Sequence, residues 1–216
     1  MRTLDHDIAP LGKQGARGVL FRVTLGGYGY TFVAKGTVLA FVDDLKHEAL
    51  VYRRLQPLQG VSVPVFLGAV DLERSYYYDF RVRIIHMMFL SWGGDRLDDG
   101  NMSADIQQRR SRELVRSVRD VHKLGVLHGD VREPNALWNS EARRVMLVDF
   151  ERAVLVDTLR PPLSHIGLNP KRKRSSGMAQ PGEERAQCSM KVEIQTAKRI
   201  IWYVRHRSDR TRDALH

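Results

Sequence analysis

The stretch that most constrains this 216-residue chain lies in its second half. It reads His128-Gly129-Asp130-Val131-Arg132-Glu133-Pro134-Asn135, followed after a short interval by Val145-Met146-Leu147-Val148-Asp149-Phe150-Glu151. A loop that offers an Asp and, five residues later, an Asn can turn both side chains into one cleft. A second Asp at the end of a following buried strand can face them. Two carboxylates and an amide oxygen supply hard oxygen ligands for Mg²⁺ and leave one carboxylate to orient a hydroxyl. Such a set suits phosphoryl transfer, which requires mainly positioning and neutralisation of phosphate charge. The bland alternative is a polar loop whose Asp and Asn cap turns. It requires chance to place His128, Asp130, Asn135 and Asp149 together.

Around this segment the chain reads as strands first and helices later. Val19–Leu25 and Tyr30–Lys35 are rich in β-branched and aromatic residues and flank Gly26-Gly27-Tyr28-Gly29, the pattern of a β-hairpin. From Asp43 to Leu55 the period changes: Leu45, Ala49, Tyr52 and Leu55 fall at helical spacing, with Asp43 or Asp44 placed to cap. Val61–Val70 and Tyr76–Leu90 return to strand-like composition. Ser103–Lys123 is the clearest helix, with Leu114, Val118 and Val121 on one face, Arg109, Arg112, Arg116 and Arg119 largely off it, and Gly125 where a stop is expected. Val126-Leu127 and Val145–Val148 are short strands separated by a polar loop. Arg160–Glu184 holds four of the eight prolines and no periodicity, so it is expected to be a long loop or partly disordered. Glu183–Tyr203 is a second helix, with Met190, Ile194, Ala197 and Ile201 at helical spacing.

The central segment resembles the catalytic loop and metal-binding strand of the eukaryotic-type protein kinase superfamily, H-R-D-x-x-x-x-N followed by D-F-G. With Gly129 in the Arg position and Glu151 in the Gly position, it is more similar to the aminoglycoside and choline phosphotransferase branch and to short kinase-like proteins of fungal genomes. The resemblance implies an α+β fold of two lobes. A β-rich N-lobe with one helix would span residues 1–92, and a truncated helical C-lobe residues 93–216, joined near Ser91-Trp92-Gly93-Gly94. It implies ATP and Mg²⁺ as cofactors. Asp130 would accept or orient the proton of the attacking hydroxyl, and Arg132 would contact the transferred phosphate. Asn135 and Asp149 would hold the metal, and His128 would brace the loop. Glu151 implies a more rigid metal strand than the Gly hinge of protein kinases.

Upstream, Val33-Ala34-Lys35 resembles the V-A-I-K strand with one residue missing, so Lys35 would hold the α and β phosphates and Glu48 would pair with it. Leu55, Val63–Leu67 and Met87–Trp92 would wall an adenine pocket, with the backbone around Phe89, Leu90 and Ser91 pairing the adenine edge. Gly12, Gly15 and Gly18 stand where the phosphate-covering loop belongs, with Lys13 or Arg17 adding charge, but keep only part of the G-x-G-x-x-G spacing. With few residues ahead of Gly12, the first strand is expected to be short.

Other features limit the reading. Only 67 residues follow Asp149, without an A-P-E triplet, so the helical platform for a peptide substrate would have to be replaced. The 43% hydrophobic and 28% charged residues exclude wholesale disorder. The single Cys188 cannot form an intramolecular disulfide, the N-terminus lacks a signal-peptide core, and no apolar run approaches membrane-spanning length. A soluble protein of the cytoplasm or nucleus is expected. Of the net charge of +10, residues 160–216 carry +8, from 13 Lys or Arg against 5 Asp or Glu. Lys171-Arg172-Lys173-Arg174 could be a nuclear signal or a nucleic-acid patch, or equally a solvated loop. Three readings stay open: a phosphotransferase acting on a hydroxyl of a protein or small molecule, a kinase-like module that binds nucleotide or protein with little turnover, and a basic nuclear adaptor.

Overall fold

In the computed structural model, residues 8–14, 18–25, 28–78, 82–97, 103–156 and 181–213 are described. Five antiparallel strands form one sheet in the order β1-β2-β3-β5-β4: β1 (Ile8–Gln14), β2 (Val19–Leu25), β3 (Tyr30–Thr37), β4 (Phe66–Tyr78) and β5 (Val82–Ser91). The hairpin of β2 and β3 is in continuous register from Val19↔Gly36 to Leu25↔Tyr30. Lys35 opposes Met88 across the next pair, which places it in the middle of the sheet.

The first strand is not short. It has seven residues and runs through Gly12, so only Gly18 of the described glycines precedes β2 outside a strand, and Gly15 lies outside the described residues. Nor does the sheet break where composition suggests. Asp71–Ser75 continues β4 through a register shift between Asp71 and Tyr76. Its charged residues lie on a largely exposed strand, where alternation with Leu72 costs nothing.

Helix α1 (Val42–Arg54) buries Leu45, Glu48, Ala49 and Tyr52 along one stripe. Asp43 and Asp44 do not cap it. The N-cap is Phe41, and the two carboxylates sit inside the first turn, where they favour the positive end of the helix dipole. Helix α2 (Ala104–Lys123) buries Leu114, Val118 and Val121 and ends at Gly125, whose φ of 72° and N–H bond to His122 O close it as expected of a C-terminal glycine. The interval expected as a polar loop contains a strand. β6 (Asp95–Arg96), β8 (Ala136–Asn139) and β9 (Arg144–Leu147) form a small sheet, and β7 (Val126–Leu127) pairs with β10 (Val154–Leu155). Helix α3 (Pro181–Asp213) starts inside the segment expected as loop, because proline is well suited to the first helical turn, and it extends ten residues past the expected end. The rest of that loop, Lys171–Arg174 included, lies outside the described residues.

One core joins sheet and helices. Leu45, Val51, Tyr52 and Leu55 of α1 and its end pack with Met88, Leu114, Val118, Val145, Phe150 and Ala197, each at most 5% exposed. A smaller cluster, Val19, Phe21, Ala34 and Ile84, consolidates the sheet. The architecture is α+β, a β-rich region beside a small helical lobe.

Candidate active site

A cavity of about 540 Å³ lies where β2, β3 and the end of β5 meet the loops before β8 and after β9. That volume falls within the range of small-molecule sites. Lys35 enters it from β3 and is held by two carboxylates distant in sequence. Its Nζ is 2.7 Å from Glu48 Oε2 and 2.9 Å from Asp149 Oδ1, with Glu151 Oε2 at 3.7 Å. Burial of Lys35 disfavours its charge, but the attraction of Glu48 and Asp149 outweighs this and holds the ammonium above the ordinary lysine range. Burial likewise pushes the Asp149 carboxyl up, and Lys35 more than reverses that, so Asp149 stays ionised. For Glu48, burial prevails over the pull of Lys35 and raises its carboxyl. The second oxygen of Glu48 accepts the Phe150 N–H at 3.2 Å, so α1 grips both the strand lysine and the segment that carries Asp149. His47, one residue away, reinforces this by donating from Nε2 to Ala153 O at 2.8 Å.

Asp130, Arg132 and Asn135 of the loop before β8 converge on the same cavity. Asn135 donates from Nδ2 to Asp130 O at 3.0 Å and Oδ2 at 3.3 Å, which leaves its Oδ1 as an acceptor. Arg132 Nε lies 3.0 Å from Asp130 Oδ2. His128 is fully committed: Nε2–H donates to Val148 O at 3.1 Å, and Nδ1 accepts the Asp130 N–H at 3.3 Å. One nitrogen donating and the other accepting is the neutral imidazole, and burial depresses its pKa accordingly. It is a brace, with no nitrogen left to act as a base. Gly129 is required by packing. At its φ of 77°, an added Cβ would lie 2.2 Å from Arg152 O.

The loop has a second brace that sequence reasoning missed. Glu193 of α3 accepts the His128 N–H at 3.1 Å and the Gly129 N–H at 2.6 Å, and its Oε2 lies 2.7 Å from His122 Nε2. Burial acts to raise its carboxyl, and these bonds bring it below the usual glutamate value. A signal existed: Glu193 stands three residues after Met190 and four before Ala197, on the apolar face of its helix. Aromatic rings link the parts in series. Phe66 of β4 stacks on Tyr52 of α1 (6.3 Å), Tyr52 meets Phe150 edge-on (5.3 Å), and Phe150 packs on His128 (4.6 Å).

Of the expected wall residues, Pro64, Leu90, Ser91 and Trp92 line the cavity, whereas Leu55 and Val63 lie in the core beneath it. Phe89 does not line it. Its side chain packs toward the smaller cluster and against Phe32 at 5.9 Å, because neighbouring strand residues point to opposite faces. The Ser91 N–H is taken by Val65 O at 2.9 Å. Gly18 lines the cavity, its missing Cβ allowing the chain to approach Gly36 O and the stem of Lys35. Arg96 and Arg152 also line it, unforeseen from the sequence. Among the described residues no three His, Cys, Asp or Glu side chains group as a metal cage. A Mg²⁺ site needs only one or two carboxylates, with waters and phosphates completing the shell.

A lysine on the third strand paired to a glutamate on the helix that follows it, in a cavity that also holds Asp130, Asn135 and Asp149, is the arrangement of a protein kinase-like fold. Comparison with known proteins agrees. Residues 95–161 match the lipopolysaccharide kinase (Kdo/WaaP) family. The chain is 42% identical over 168 residues to the meiotic driver SPOK2 of Podospora anserina, covering 78% of this chain and 21% of that protein. It is 40% identical over 58 residues to the non-specific serine/threonine protein kinase Cdc7 of Drosophila melanogaster, covering 26% of this chain and 8% of that kinase. The chain thus spans about a fifth of the length of the first of these relatives and under a tenth of the second. No described helix is long and apolar enough to cross a membrane.

Proposed function

We propose that this chain is a Mg²⁺- and ATP-dependent phosphotransferase that moves the γ-phosphoryl group to a hydroxyl of a protein or small molecule, releasing ADP. The observation that carries the reading is the meeting of Lys35, Glu48 and Asp149, 114 residues apart at the extremes, in the cavity that also holds Asp130 and Asn135. The kinase families matched in the comparisons support the same reaction class. In this reading residues 1–92 and 93–216 act as two lobes that bind nucleotide between them, and the protein works in the cytoplasm or nucleus.

Each residue has a task that follows from its position. Lys35, kept charged by two carboxylates, binds phosphate oxygens, and Glu48 sets where its ammonium points. Asp130 orients the acceptor hydroxyl and takes up its proton as the new O–P bond forms. Arg132, beside Asp130, presents a guanidinium to the transferred group, a fork suited to phosphate oxygens. The free Oδ1 of Asn135 and the carboxylate of Asp149 fit a hard cation, so these two would hold Mg²⁺, which when bound neutralises charge on the phosphates. Pro64, Leu90 and Trp92 offer an apolar slot for a base.

The deciding experiment is thermal unfolding with and without ATP and Mg²⁺, paired with an ATP turnover assay, on the parent and on Asp149→Ala. Ligand at about 100 times its dissociation constant stabilises by about 2.7 kcal/mol. A shift and turnover in the parent, both lost in the variant, are the expected result. A shift without turnover points to a nucleotide-binding module, and no shift removes the nucleotide claim.

A further inference from the structure

Helix α2 carries an exposed row of cations that the proposed phosphotransfer does not use. Arg109, Arg112, Arg116, Arg119 and Lys123 alternate steps of three and four residues and are all exposed. At about 100° and 1.5 Å per residue, this spacing keeps them within one stripe about 21 Å long. The stripe lies opposite the buried face formed by Leu114, Val118 and Val121. Arg54 of α1, also exposed, adds a cation at the C-terminal end of α2, where its Nε donates to Leu124 O.

An ordinary solvated helix face would intersperse acids that neutralise such a row. Here the acids that stand between its cations are drawn inward: Glu113 Oε2 lies 2.7 Å and Asp120 Oδ2 3.1 Å from Arg144, itself largely buried, while the exposed Asp105 stands one turn before Arg109, at the N-terminal end of the row. Their outward contacts are a 3.9 Å approach of Arg116 to Glu113 and a 2.8 Å pair of Lys123 with Asp120. Arg109, Arg112 and Arg119 face solvent.

We propose that this outward face of α2, with Arg54 at its C-terminal end, is a docking track for the phosphate backbone of a nucleic acid. Guanidinium forks pair bidentately with phosphate oxygens, and four of the five helix positions are Arg. A nucleic-acid strand supplies charge at every repeat, whereas an acidic polypeptide needs an unbroken acidic run to match five evenly spaced cations. A membrane surface fits less well, because the apolar face of α2, Leu114, Val118 and Val121, is already in the core and the exposed Ile106 is a single residue beside the row. The recognition is of backbone, without base readout.

The test uses the 216-residue chain and a fluorescently labelled DNA duplex of about 20 base pairs, titrated between about 50 and 200 mM salt. The fourfold variant Arg109→Gln, Arg112→Gln, Arg116→Gln, Arg119→Gln should weaken binding at least about tenfold and lower the log–log salt slope by about 3 to 4. The corresponding fourfold Arg→Lys variant should restore the slope, and both retain good helix formers. Unchanged affinity and slope in the Gln variant overturns the proposal. So does loss of binding only when Lys171–Arg174 are neutralised, which assigns it to the tail. Equal or tighter binding of labelled poly-aspartate assigns the row to an acidic protein, and preferential sedimentation with phosphatidylserine vesicles assigns it to a membrane. Either result overturns the nucleic-acid assignment.

Discussion

At the scale of the residue, Gly129 and His128 show how far tertiary packing dictates identity. Kinase motifs place Arg where Gly129 stands, yet the carbonyl of Arg152 leaves no room for a Cβ there. Gly129→Ala is therefore expected to cost about 2 kcal/mol or more, since it combines a left-handed backbone with a backbone clash. Urea unfolding measures this directly, and a neutral result would contradict the contact. His128 gives a pH dependence. Its folded pKa lies below the ordinary 6.5 because burial disfavours the charged ring. Below that pH the unfolded chain binds a proton that the folded chain resists, so stability rises with pH up to about 6.5 and is lost on acidification below it. Urea midpoints measured from about pH 5 to 7.5 should show this slope in the parent and a flatter one in His128→Asn, which has no titrating ring.

At the scale of the element, α3 acts on the loop through a single side chain. Glu193 satisfies two backbone donors and His122, so both carboxylate oxygens are in use. Glu193→Gln keeps one acceptor and turns an NH₂ group toward the remaining donors. The expected cost is about 1–3 kcal/mol, with faster hydrogen exchange at the His128 and Gly129 amides. Unaltered protection of these two amides would show that α3 does not hold the loop. α1 is tied in the same way at several points: Glu48 to Lys35 and Phe150, His47 to Ala153 O, and Arg54 to Leu124 O. A helix tied at these points to β3 and to the segment after β9 fixes where the Lys35 ammonium points.

At the scale of the whole molecule, the sheet region and the helical lobe share one core and one aromatic series. Tyr52 is its midpoint, fully buried between Phe66 and Phe150. Tyr52→Ala should cost about 3–5 kcal/mol in chemical denaturation. It should also weaken nucleotide-dependent stabilisation, because the cavity walls come from both sides of this contact. A variant that loses stability but keeps full nucleotide protection would separate the core from the site.

The loop and strand from His128 to Asp149 were legible because their chemistry is local: residue type and spacing on one short stretch are enough to place Asp130, Asn135 and Asp149 at one cleft. The helices α1 and α2 were legible because burial on one face imposes a period. The extent of β4, the strand β8 and the true start of α3 were not, since an exposed strand tolerates charges and a proline can open a helix as readily as it ends one. That Asp149 also reaches Lys35, why residue 129 must be glycine, and that a glutamate on α3 holds the His128–Asn135 loop were decided only by the packed chain. These depend on contacts between residues from 23 to 114 positions apart, for which local propensity carries no information.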